Sequence, residues 1–75
     1  MTTTPLDSSL LASATYDPRR RLLRLEFRSR SIYLYRDVPA NVADALLAAS
    51  SKGAYFHRSI RGQFPFRRLT DAPAQ

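Results

Sequence analysis

The sequence has 75 residues, no cysteine, and twelve Lys+Arg against six Asp+Glu, a net charge of +6. That length allows one domain with a thin core, roughly 60% of the chain's surface being buried on folding, and leaves little interior for a deep cavity of the ~300 Å³ or more that small-molecule sites use. Disulfides and thiolate metal sites are excluded, a hydrophobic content of 44% separates the chain from disordered ones, and no run approaches the roughly 20 apolar residues that span a bilayer.

Residues 1–7 are polar and threonine-rich, without the basic start and apolar stretch of a secretory signal, so they read as a flexible tail on a cytoplasmic protein. From Ser8 to Tyr16 the residues Leu10, Ala12, Ala14 and Tyr16 share one phase, which predicts a first strand. Asp17-Pro18-Arg19-Arg20 follows as a type I turn, since proline presets φ and aspartate bonds the nearby backbone. Leu23, Leu25 and Phe27 alternate with Arg24, Glu26 and Arg28, the pattern of a strand with one buried and one wet face. After the polar break Ser29-Arg30-Ser31, the β-formers Ile32, Tyr33, Leu34 and Tyr35 predict a third strand. A two-residue turn would put Ile32 and Leu34 on the Phe27 face; a three-residue turn would put Tyr33 and Tyr35 there.

Asp37-Val38-Pro39 changes the period. Proline favours the first helical position, and Val42, Ala45, Leu46 and Ala49, widened by Leu47, form an apolar helical stripe. Lys52-Gly53 supplies a cation and a left-handed cap for the helix end. A second helix is expected from Ala54 to Arg61, ended by Gly62. Gln63 to Leu69 should be extended and docked by Phe64 and Phe66, and residues 70–75 read as a second flexible tail. The whole predicts an α+β fold over residues 8–69: a three-stranded antiparallel β-meander followed by two helices packed on one face, β-β-β-α-α.

Catalytic chemistry finds little here. His57, between Phe56 and Arg58, has no sequence neighbour fit to orient it as a base, and reads as a helix-surface or capping residue. Ser50-Ser51-Lys52 has the spacing of a helix end. Paired carboxylates, a metal-ligand cluster and a glycine-rich phosphate loop are missing, so the sequence predicts no enzyme, no metal, no cofactor and no small-molecule substrate. Eleven of the twelve cations are arginine, the side chain that pairs bidentately with phosphate and stacks on bases. With a pI near 10.8, this makes nucleic acid the expected partner; the plainer reading of each arginine is a solvated face. Arg21, Arg24, Arg28, Arg58, Arg61, Arg67 and Arg68 are the phosphate candidates. Tyr33 and Tyr35 are the candidates for stacking on bases, with core lining as their alternative role. If about five phosphates of a single strand were neutralised, log affinity would fall with log salt at a slope near −3.5. The competing expectation is a protein-interaction module using an open sheet face, or the edge of the first or third strand.

Asp7-Ser8-Ser9, Tyr16-Asp17-Pro18, Leu23-x-Leu25-x-Phe27, Tyr33-x-Tyr35, Asp37-Val38-Pro39, Leu46-Leu47-x-Ala49, Ser51-Lys52-Gly53-x-Tyr55-Phe56 and Ile60-Arg61-Gly62 occur in that order. This series resembles the KTSC domain, a module at the carboxyl end of some lysyl-tRNA synthetases that also occurs as a stand-alone protein. The resemblance runs from Asp7 to Leu69 and centres on the Tyr-x-Tyr pair. It implies a binding role toward RNA, by association with the synthetase. The chain departs from the family in two places: Ser29-Arg30-Ser31 stands where members often carry glycine in the hairpin turn, and Leu34 fills the commonly polar middle of Tyr-x-Tyr.

Overall fold

Strongly alternating strands joined by short turns set the middle of the sheet, and weaker segments pair at its edges. In the computed structural model, which describes residues 3–69, the order is β1 (Thr3–Pro5), β2 (Leu11–Asp17), β3 (Leu22–Phe27), β4 (Ile32–Tyr35), α1 (Ala40–Ala48), α2 (Lys52–Ser59) and β5 (Phe66–Leu69). These form one five-stranded sheet in the order β1-β2-β3-β4-β5, antiparallel throughout, with the helices inserted between β4 and β5. The expected α+β character and central meander are present, but β-β-β-α-α omits both edge strands. Thr3–Pro5, expected in the tail, pairs with β2, and Leu6 beyond it is buried. The remaining tail expectations, for residues 1–2 and 70–75, lie outside the described residues.

The β3–β4 connection settles which way the tyrosines face. Glu26 pairs with Ile32, so the loop is the three residues Arg28, Ser29 and Arg30. The Phe27 amide donates to the Ser31 carbonyl, and the Arg30 amide to the Phe27 carbonyl, both at 2.9 Å. Arg30 closes the loop at φ +76°, a conformation that glycine adopts without steric cost. Leu23 then pairs with Tyr35 and Leu25 with Tyr33, so both tyrosines share the Phe27 face, the one the helices cover.

On β2 a bulge between Leu11 and Ser13 moves the inward phase from the expected Leu10 and Ala12 to Leu11, which is fully buried together with inward Ala14. The core joins Leu11, Leu23, Leu25 and Tyr35 of the sheet to Val38, Leu46, Phe56 and Ile60 of the helical half. Tyr16 ties the two layers together by donating its hydroxyl to the Val38 carbonyl at 2.6 Å.

The helices divide differently from the expectation. α1 buries Ala43 and Leu46, while Leu47, expected to widen the stripe, is 40% exposed. The chain breaks at Ala49, before Lys52-Gly53, and those two residues open α2 instead of ending α1. Ser51 Oγ accepts from the Ala54 amide as the cap of α2, and Lys52 Nζ reaches back to the Ala49 carbonyl at 2.7 Å. The cation thus serves the carbonyl end of α1 from the next helix. Among the described residues, no helix is long and apolar enough to cross a membrane.

Candidate functional site

The arginine candidates do not share one surface. Arg24 pairs with Leu34, and Leu34 with Arg67, so these two arginines occupy one rank on the sheet face away from the helices. Arg68 pairs with Tyr33 and so lies on the helix-covered face, where its Nη2 donates to Ser31 Oγ at 3.3 Å. Arg21 belongs to the β2–β3 turn, at the opposite end of the sheet from the Arg28–Arg30 loop. Arg58 lies over the Tyr55 ring at 5.8 Å, toward a groove between α1 and α2. Arg28 is engaged locally: its Nε donates to the Ser8 carbonyl at 3.0 Å and its Nη2 to the Leu6 carbonyl at 2.9 Å. One continuous arginine groove is therefore not how the fold uses these charges.

What the fold does assemble is an aromatic cleft. The β3–β4 loop, β4 and β5 form one wall, and α2 with Arg61 and Gly62 forms the other. The open space between them is about 490 Å³, lined among others by Phe27, Tyr33, Tyr35, Phe56, His57, Arg61 and Phe66, with the Ser29 and Ser31 side of the loop at one end. The space arises between elements that diverge at the surface, not inside the thin core. The rings form a connected cluster. Phe56 meets Phe27 at 5.3 Å and Tyr35 at 5.9 Å, both edge-on. Phe66 tilts over Tyr33 and Tyr35, at 5.6 Å from each, and is itself 54% exposed. That corrects its expected role as a docking anchor; Phe64 is the partly buried one, packed against the core.

Of the stacking candidates, Tyr33 is half-buried and Tyr35 is 3% exposed, so the ring of Tyr35 is a floor and not an open platform. Their hydroxyls make no hydrogen bond to another described side chain or backbone group, yet among the described residues no buried side-chain polar atom lacks a partner. Both phenol tips therefore meet solvent. Burial and the neighbouring Tyr33 push the Tyr35 phenol above its ordinary value, with Arg61 pulling the other way. Arg61 and His57 approach at 3.5 Å between Nη1 and Nδ1, and the His57 ring packs on Phe56. Among the described residues, no carboxylate lines the cleft. A second cleft of about 410 Å³ beneath α1 carries Asp44 and no cation among its lining residues, the wrong sign for a polyanion.

Sequence reasoning named Tyr33, Tyr35 and Arg61 and missed Phe66 and the serine-lined loop end. The available signal was the alternation of Phe66 and Arg68 against Arg67, which separates the phenylalanine from Arg67; the β4–β5 register then puts it on the tyrosine face.

A KTSC domain model matches residues 7–64. The chain is 44% identical over 64 residues to a lysine–tRNA ligase of Nostoc sp., an alignment that covers 85% of this chain and 11% of the ligase. A protein of Stutzerimonas stutzeri is 43% identical over 58 residues, covering 77% of this chain and 82% of that protein. The crystal structure of a KTSC domain protein from Yersinia pestis superposes with a TM-score of 0.89 at 35% identity, over 92% of this chain and 97% of that one. The match to the ligase is thus to a small part of its length, whereas the other two are of similar extent to this chain.

Proposed function

The chain belongs to the KTSC domain family, and from that premise we propose that it is a small basic module that binds RNA through arginine–phosphate contacts and aromatic stacking. The observation that carries this reading is the cleft itself: Arg61, Tyr33, Tyr35 and Phe66 come from three parts of the chain and line one space, with no carboxylate among the described residues that line it. Stacking platforms beside cations are the usual means of holding unpaired bases, and the net charge of +6 favours a polyanion. The lysine–tRNA ligase relatives support RNA over DNA, because those proteins by name act on a tRNA.

The placement of the arginines sets the scale of the electrostatics. Arg61 and Arg68 lie on the cleft face with Arg30 in the loop beside it. Arg30 and Arg68 already have partners in the fold, so a phosphate would join or displace those contacts, and neutralising about three phosphates of a single strand gives a slope of log affinity on log salt near −2. The five-phosphate slope would need Arg24 and Arg67 as well, across the sheet. Fluorescence anisotropy with a labelled RNA oligomer between about 50 and 200 mM salt tests this. Binding that weakens with that slope supports the proposal; no binding at low salt, or binding indifferent to salt, removes it.

A protein-interaction role is the second reading, and it gains from the topology. The first and third expected strands are β2 and β4, both interior. The edges among the described residues are β1 and β5, and β5 presents exposed Phe66, Arg67 and Arg68. A partner strand added there would be insensitive to Arg61→Gln and Arg58→Gln, which separates the two readings.

A further inference from the structure

We propose that the aromatic cleft is a one-nucleotide subsite: it takes a single unpaired base against Phe66 and Tyr33, with the adjoining phosphate on Arg61. This rests on the RNA-binding reading and narrows it to strand type and to named side chains. Phe66 is a large ring left 54% exposed beside two tyrosines to which it tilts at 35° and 39°, so its orientation is held while part of its surface lines the cleft. A flat ring entering the cleft joins this aromatic cluster, as bases join the aromatic platforms of single-stranded binders. A volume near 490 Å³ falls in the range of small-ligand sites, roughly 300–1,000 Å³.

The polar groups at the rim fit the same occupant. The two phenol hydroxyls can donate to or accept from a base edge, since each carries one proton and two lone pairs. Arg61 presents the planar fork that matches a phosphate. A base within a duplex has both faces covered by its neighbours and cannot enter, so the cleft selects single strands. An acidic peptide would satisfy Arg61 but would leave the ring faces without a flat partner.

The test compares the full chain with Phe66→Leu, Phe66→Ala and Arg61→Gln, using an RNA oligomer in single-stranded and duplex forms, adenosine monophosphate, and inorganic phosphate. Phe66→Leu keeps an apolar side chain on the edge strand and removes the π face, so it stays informative if the alanine variant is destabilised; thermal melts check both. Loss of stacking should weaken single-strand binding about 5-fold or more, with the duplex bound more weakly than the strand from the outset. The mononucleotide should shift the amides of Tyr33, Phe66 and Arg61, and phosphate alone should shift Arg61 without Phe66. If the unmodified chain binds RNA with the salt dependence above but Phe66→Leu binds equally well, or the duplex binds as tightly as the strand, the subsite is overturned and the RNA reading survives. If the unmodified chain binds no RNA, both are overturned.

Discussion

Arg28 offers the sharpest separation between a cation that holds the fold and one that meets a ligand. Its guanidinium donates to the carbonyls of Leu6 and Ser8, and its own amide donates to the Leu10 carbonyl. The β3–β4 loop is thereby fastened to the segment between β1 and β2. Arg28→Gln keeps the backbone bond and removes two charge-assisted ones, of which the Leu6 contact is half-buried and the Ser8 contact exposed. A net hydrogen bond contributes about 0.5–1.5 kcal/mol. With the exposed contact at the low end of that range, the loss is about 1–2 kcal/mol. For a domain of this size that lowers Tm by on the order of 4–16 °C. The assay is a thermal melt of both proteins, paired with the salt titration against single-stranded RNA under conditions where both are folded. The expected outcome is a clear fall in Tm with an unchanged salt slope. An unchanged Tm together with a slope shallower by about 0.7 would mean that Arg28 contacts phosphate instead, and would refute the structural assignment.

Two further substitutions probe the backbone and the buried tyrosine. Arg21 sits at φ +57°, and its carbonyl accepts from the Val38 amide, a contact that does not need the side chain. Arg21→Gly relieves a left-handed strain of roughly 1–2 kcal/mol against an entropy cost of about 0.5–1 kcal/mol, a net gain of up to about 1.5 kcal/mol, so Tm should rise by up to about 12 °C in a thermal scan; a fall would contradict the strain. The Tyr35 phenol is raised above 10.0 mainly by burial, so the folded chain holds that proton more tightly than the unfolded one. Its contribution is complete below the unfolded value and is lost as pH rises through the folded value. Melts at about pH 8 and pH 11 should show an alkaline loss in the natural chain that Tyr35→Phe reduces, and an equal loss in both would assign it elsewhere.

Much of the central sheet was legible because its pattern has one solution. Leu23-x-Leu25-x-Phe27 alternates cleanly, and Asp17 Oδ1 accepts from the Arg19 and Arg20 amides as the Asp-Pro turn requires. The edges were illegible for physical reasons. Thr3–Pro5 has no apolar alternation, and an edge strand needs none; Pro5 lacks a donor that the edge leaves partly unused. On β2 both Leu10 and Leu11 are apolar, so either phase reads well and only the bulge decides. The helical break at Ala49 follows a run of alanine and leucine whose helix preference hides the stop, and the true signal was Ser51 as a cap. For the candidate site, residue type was legible and placement was not. Arg67 and Arg68 are neighbours in sequence yet occupy opposite faces, and that assignment depends on the β4–β5 register. The glycine preference noted for the hairpin loop has a counterpart in Arg30, which takes the left-handed position with a side chain attached.

Amide chemical shifts followed while a short single-stranded RNA is added at low salt locate the bound strand. Movement should concentrate at Tyr33, Tyr35, Arg61 and Phe66, with Arg24 and Leu34 on the far face still. Shifts confined to the far face, or no shifts at all, would contradict this placement.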